Sequence, residues 1–312
     1  MTTYLGIDAG GSGSRWALLR DDAWVASGAD GPPIQVAELG IETAAERVVS
    51  LLRGVSTPDG AAITTVAVGL AGVGDPDRRA ALQDRLAAFD PRITVMEDTI
   101  SGAASALAQE CGVALFAGTG SFAVARGPTG ALYRTGGRGC VVSDHGSGYW
   151  LVRRAVEVGL QAADGIAPIN TLGARLTESF GRSAVWDLGS AMRDESARTI
   201  AHHSFVVLHA AAEGDAAATA ILDEGADHLA RLAHGAARKA GLDAATAPVF
   251  LGGGVLHDPD YGLRVRQALA RLGGRGAVEP IPLRPEQGAA LVARAMARGD
   301  APLAGWSRGT RA

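Results

Sequence analysis

Two glycine and hydroxyl turns, with two aspartates, carry the chemistry this sequence can do. Ile7-Asp8-Ala9-Gly10-Gly11-Ser12-Gly13 ends an apolar run in an aspartate and then turns on glycines. Glycines let backbone N–H groups come close to an anion, and hydroxyls add donors. A carboxylate repels phosphate, so the natural partner of Asp8 is a divalent cation or its waters. The plain alternative is a hairpin turn in which Asp8 satisfies its own backbone. Ala117-Gly118-Thr119-Gly120-Ser121 repeats the theme between two further apolar runs. Each turn opens one half of the chain, so the pair reads as two clamps on one polyphosphate. A third cluster, Leu251-Gly252-Gly253-Gly254-Val255, ends a strand before a helix, a feature common in α/β proteins.

Asp98 lies between the first two turns, where the strand-like ITVME passes into the small-residue helix TISGAASALAQ. Such a junction is the usual address of a reacting group in an open α/β sheet. Phosphoryl transfer to a hydroxyl needs positioning, a metal and a carboxylate to take the proton, and Asp98 suits the last role. It also suits a helix cap. The stretch Gly136-Gly137-Arg138-Gly139-Cys140-Val141-Val142-Ser143-Asp144-His145-Gly146-Ser147-Gly148-Tyr149-Trp150 is rich in glycine and opens a long helix. A backbone winding closely round a polar ligand has this character, with Asp144 free to accept from ligand hydroxyls. His145, Tyr149 and Trp150 read as packing residues.

Composition closes several routes. Lys239 is the one lysine among 29 basic residues, and it does not follow a phosphate loop. A Walker A site, which needs a lysine after its glycines, is excluded. A net charge of −4 leaves no electrostatic footprint for nucleic acid. The apolar runs are short and broken by glycine, so no membrane span is expected. The opening MTTYLGIDAGG lacks a basic region followed by an apolar stretch, so no leader is expected either. The two cysteines, Cys111 and Cys140, form no CxxC or metal-spaced cluster and read as reduced cytosolic thiols.

The elements that must position these residues follow from periodicity. TYLGID, RWALLR and WVASG read as strands. Strands and helices then alternate through ITTVAVGL, PDRRAALQDRLAAF, ITVMED and the helix after Asp98. The pattern restarts at VALFAGTGSFAVARG, passes through a mostly helical stretch from Ser147 to about Gly241, and closes with APVFLGGGV, a helix, AVEPIPL and a last helix. Two halves, each opening strand, glycine turn, strand, point to a duplicated α/β fold with a boundary near residues 100–112.

Taken together, these residues resemble the actin, hexokinase and Hsp70 ATPase superfamily. Within it they resemble the BadF/BadG/BcrA/BcrD family and its N-acetylglucosamine kinase-like branch, over nearly the whole chain. DAGGSGS, the aspartate before a small-residue helix, the AGTGS turn and GGxG followed by D-x-G-S-x-Y-W carry the likeness. The resemblance implies a duplicated ribonuclease H-like, actin-like ATPase fold of two lobes with a cleft between them. Residues 1–108, with a returning helix at about 286–298, would form one lobe. Residues 109–285, with a helical insertion, would form the other, and 300–312 a flexible tail. Asp8 would organise Mg²⁺ through water, with Gly10, Gly11 and Ser12 around the phosphates of ATP. Asp98 would be the base. Gly118, Thr119 and Gly120 would hold the β- and γ-phosphates, with Gly253 and Gly254 near the adenosine. Gly137 and Asp144 would contact the sugar, with Arg138 beside them.

The implied activity is ATP-dependent phosphorylation of an amino sugar, at the 6-hydroxyl of N-acetylglucosamine or glucosamine, by a cytoplasmic homodimer. Four residues depart from the family pattern on the sugar side. Arg138 stands for tryptophan, His145 for glutamate, Ser143 for glycine, and Ile34 for the asparagine of a Gly-Pro-Ser-Asn segment. Arginine pairs well with a carboxylate, which brings in N-acetylmuramic acid as an alternative acceptor. A reductase-activating ATPase with a bridging iron–sulfur cluster, and a non-catalytic sugar-binding regulator, are the rival readings. Two cysteines per chain would supply the four thiolates of a cluster only as a dimer.

Overall fold

The computed structural model describes residues 1–11, 13–108 and 110–300. The chain divides into two compact units. Of the described residues, the first comprises Met1–Glu110, Gly130–Leu132 and 281–300; the second comprises Cys111–Thr129 and Tyr133–Pro280.

The first unit is built on β1 (Thr3–Gly10), β2 (Gly13–Arg20), β3 (Ala23–Gly31), β4 (Ile63–Leu70) and β5 (Ile93–Glu97), in the order β3-β2-β1-β4-β5. β1 is central, antiparallel to β2 and parallel to β4. Side chains alternate across a strand, and β1 uses both faces. Leu5, Ile7 and Ala9 join Leu18, Val66, Val68 and Leu70 in one core. Tyr4 belongs to a second core with Met96, Ile100 and Ala104, and with Ala289, Ala290 and Ala293 of the final helix, Pro285–Arg298. Gly6 and Asp8 share the Tyr4 face. A Cβ on Gly6 would stand 2.1 Å from the Ala290 nitrogen and 2.2 Å from the Glu286 carbonyl oxygen. The final helix therefore rests its first turns on the bare backbone of β1. Gly288 plays the matching part on the helix, where a Cβ would meet the Ser101 carbonyl oxygen at 2.1 Å.

The second unit repeats the plan with β6 (Gly112–Ala117), β7 (Ser121–Arg126), β8 (Leu132–Gly136), β9 (Val249–Gly252) and β10 (Val278–Pro280), in the order β8-β7-β6-β9-β10. β6 is antiparallel to β7 and parallel to β9, as β1 is to β2 and β4. Equivalent strands occupy equivalent places, and that is the duplication read from the two glycine turns. Helices fill the span between β8 and β9. Trp150, Leu151, Val156, Leu222, Leu229 and Tyr261 anchor this unit's core. The longest helix, Ala216–Lys239, is capped by Asp215 and lined on its inner face by alanines. Among the described residues no single helix is long and apolar enough to cross a membrane.

Candidate active site

In the first unit the candidate residues sit at the C-terminal ends of parallel strands, where ligands of open α/β sheets bind. Asp8 is near the end of β1, with Arg15 opposite it on β2 and Gly69 opposite it on β4. Asp98 follows β5 directly and is the first residue of the helix Asp98–Leu107. The cap position belongs to Glu97, whose side chain caps nothing and instead pairs with Arg79 at 3.1 Å. The Asp98 carboxylate accepts from the Thr99 amide at 2.9 Å, which fixes its orientation at the helix start.

Ser101 joins the two aspartates. Its hydroxyl lies 2.5 Å from Asp8 Oδ1 and 2.7 Å from the Asp98 carbonyl oxygen. Gly69 makes room for this link, since a Cβ there would stand 2.6 Å from the Ser101 hydroxyl and 3.3 Å from Asp8 Oδ1. Neither residue was singled out from sequence. The signal available was Ser101 three positions after Asp98, one helical turn on. Gly10 ends β1 and Gly11 begins the turn after it, and the Gly10 carbonyl accepts from the Ile34 amide. Ser12 lies outside the described residues, as does the expected tail beyond residue 300.

Burial pushes the Asp8 carboxyl from its ordinary 3.8 up to about 7; the Ser101 hydroxyl pulls it back, and the charges of Asp98 and Glu286 push it up again. Among the described residues no three His, Cys, Asp or Glu side chains are grouped to hold a metal ion. A cation at Asp8 would take most of its ligands from water and phosphate oxygens, which is the habit of Mg²⁺. The donor set fits that cation: a desolvated carboxylate that feels the charges of Asp98 and Glu286 favours a positive charge.

The raised value has a sign that can be tested. The folded state keeps a proton that the unfolded chain gives up near 3.8. Stability from this group is therefore lost as pH rises from about 4 to about 7. Asp8→Asn cannot ionise and escapes that loss. In thermal unfolding without divalent cations, the variant's advantage over the wild type is expected to grow toward neutral pH. An advantage that stays constant across the window contradicts the assignment.

In the second unit the turn after β6 is fastened to the helix Gly148–Ala163. The Gly148 amide donates to the Gly118 carbonyl at 2.7 Å and the Tyr149 amide to the Thr119 carbonyl at 3.4 Å. Gly253 follows β9 with φ near +100°, and a Cβ there would meet the Ala117 carbonyl oxygen at 2.3 Å. Gly118, Gly253 and Gly254 are thus brought together, with a Cβ on Gly118 only 3.9 Å from the Gly254 nitrogen.

Asp144 joins the same cluster. It is buried, has φ of +57°, and its Oδ2 lies 2.6 Å from where a Cβ on Gly120 would be. Aspartate tolerates that left-handed backbone better than bulkier residues do. Its Oδ1 is buried with no hydrogen-bond partner. Burial pushes its carboxyl above the ordinary carboxylate pKa, and backbone amides of Gly139 and Arg138, with the charge of Arg134, oppose the rise. A carboxylate oxygen left in this state has the capacity to accept a hydroxyl donor.

Gly137 is held by Arg134, whose guanidinium donates to its carbonyl at 2.7 Å and lies over the Phe122 ring. Arg138 is exposed beside it. His145 packs as expected, its ring 4.6 Å from that of His228 and its carbonyl accepting from Ser121. Burial and the neighbouring His145 hold the His228 imidazole below its ordinary range. Trp150 is buried.

The fold is that of the actin-like ATPases, with a five-stranded sheet of the same order in each unit. The chain matches the model of the BadF/BadG/BcrA/BcrD ATPase family over residues 5–293, and it belongs to that family. It is similar to the glucosamine kinase of Vibrio cholerae, 31% identical over 174 residues, 54% of this chain and 58% of that one. It is also similar to the N-acetylmuramic acid/N-acetylglucosamine kinase of Clostridium acetobutylicum, 27% identical over 103 residues, 32% of this chain and 34% of that one. The chain thus spans little more than half of the first relative and about a third of the second. A solved structure from Chromobacterium violaceum, provisionally named an N-acetylglucosamine kinase, superposes with a TM-score of 0.74 at 25% identity, over 94% of this chain and 99% of that one.

Proposed function

We propose that this protein is an ATP-dependent amino-sugar kinase acting on the 6-hydroxyl of glucosamine or N-acetylglucosamine. The observation that supports the reading is the Ser101 hydroxyl, which binds the Asp8 carboxylate and the backbone carbonyl of Asp98 and so ties the end of β1 to the helix start that carries the second carboxylate. When bound, Mg²⁺ would neutralise charge on the phosphates, with Asp8 holding its waters. Asp98 accepts the proton of the sugar hydroxyl as that oxygen attacks the γ-phosphorus. The bond to the β,γ-bridging oxygen breaks, and ADP leaves. Gly10, Gly11 and Ser12, with Gly118, Thr119 and Gly120, supply donors to the phosphates. Gly253 and Gly254 leave space for the nucleoside. Asp144 and Gly137 take the sugar. No lysine is required, which agrees with Lys239 standing exposed at a helix end. The reading includes a cytoplasmic location, where ATP is available, and a homodimer. A coupled assay of ADP release against glucosamine, N-acetylglucosamine, N-acetylmuramic acid, N-acetylmannosamine and glucose tests it.

A second reading concerns the acceptor. Arg138 is exposed in the segment that carries Asp144 and would pair with a sugar carboxylate, as in N-acetylmuramic acid. The name of the Clostridium relative includes that sugar. Arg138→Trp is expected to lower kcat/KM for N-acetylmuramic acid relative to N-acetylglucosamine by about tenfold, the worth of one charge-assisted hydrogen bond. An unchanged ratio removes this reading.

A further inference from the structure

Glu286 is the most deeply buried charged side chain described in the first unit, and none of the roles above uses it. It lies in the first turn of the final helix, and its side chain is 2% exposed. Oε1 meets Arg284 Nε at 2.9 Å, but that arginine is itself 58% exposed. Oε2 is buried with no hydrogen-bond partner. Removing a carboxylate from water with half of its acceptor capacity unmet is costly unless something else in the site gains from the charge.

The fold shows where that charge is directed. The backbone of Glu286 rests on Gly6, and Asp8 lies two residues along β1 on the same face. Gly288, one half-turn further, packs on Ser101, the residue that binds Asp8. The final helix is thus fitted by two close backbone contacts against both neighbours of the Asp8 carboxylate. The charge of Glu286 acts on Asp8 together with that of Asp98. Asp98 and Glu286 bring like charge to Asp8, and Arg15, exposed on the neighbouring strand, brings the opposing one.

We propose that Glu286 is a positioning residue for the divalent cation, acting through Asp8 rather than as a ligand: its buried charge makes the cation-loaded state of the strand end the stable one. The inference rests on Asp8 as the cation carboxylate. At a water-like effective dielectric, one unit charge about 6 Å from a divalent cation changes its affinity by on the order of tenfold.

The test is a Mn²⁺ titration of the full chain with a non-hydrolysable ATP analogue, followed by electron paramagnetic resonance of the free ion. Glu286→Gln is expected to weaken Mn²⁺ binding about tenfold. Glu286→Asp, which keeps the charge, restores it. Arg284→Gln removes the partial counter-charge and is expected to leave affinity equal or tighter. Unchanged Mn²⁺ affinity in Glu286→Gln overturns the proposal. So does an equal weakening in Glu286→Gln and Arg284→Gln, which would make Glu286 a structural anchor of the helix. If Glu286→Gln does not fold, Arg284→Gln carries the test, and weaker binding there is the overturning result. Asp8→Asn separates the two levels. Wild-type Mn²⁺ affinity in that variant sinks the reading of Asp8, whereas a loss there with none in Glu286→Gln sinks only the role of Glu286.

Discussion

An Asp98→Asn variant is expected to bind nucleotide as the wild type does and to lose about 10²- to 10⁴-fold in kcat, the range supplied by a positioned general base. Asparagine keeps the shape of the side chain and the acceptor for the Thr99 amide, so the start of the helix Asp98–Leu107 is preserved. The Ser101 contact is to the Asp98 carbonyl and does not depend on the side chain at all. What is removed is the negative charge of the carboxylate and with it the capacity to take a proton. The loss therefore falls on kcat, while the KM for ATP stays near that of the wild type. Retained turnover would mean that another group is the base. Glu97 is a poor substitute, because it is buried and paired with Arg79.

The second large effect is on folding. Gly6→Ala is expected to destabilise the first unit by on the order of 3 kcal/mol, at the upper end of ordinary overpacking. The added carbon would overlap backbone atoms of Ala290 and Glu286 at 2.1 and 2.2 Å. Backbone in a helix cannot rotate aside as a side chain can, so the whole final helix must move off β1. Loss of glycine's entropy in the unfolded chain works the other way, but it is worth only about 0.4–1 kcal/mol. The clash wins. Gly54→Ala is the control, because nothing lies within 4 Å of a Cβ at that helix end. Chemical denaturation of both variants checks the contrast. Equal midpoints would show that the final helix is not seated on β1 as described.

Much of this was legible in the sequence for a local reason. Asp8 before a glycine turn, Gly118-Thr119-Gly120 between apolar runs and Asp98 at a strand-to-helix junction are patterns of contiguous residues. Strand and turn propensities act over the same few positions. The repeat of strand, glycine turn, strand likewise exposed the duplicated α/β plan, and both sheets have the same strand order. What stayed hidden depends on contacts far apart in the chain. Ser101 reaches Asp8 across 93 positions. Gly6 matters because it faces the final helix, and Gly288 because it faces the helix Asp98–Leu107, which composition does not reveal. Glu286 reads as an ordinary first-turn acid in a helix, where negative charge is commonplace. Only its burial marks it out. Gly69 is one glycine among 43 until the Ser101 hydroxyl is seen to occupy the space its side chain would fill.

The most direct test of phosphoryl transfer to an amino sugar is coupled ADP release by the purified full chain, with Mg²⁺ and ATP, with and without each of the five sugars. ADP release is expected to require both Mg²⁺ and an amino sugar, with glucosamine or N-acetylglucosamine far above glucose, and to vanish in Asp98→Asn. ATP that binds but yields no more ADP with any of these sugars than without them would contradict the account.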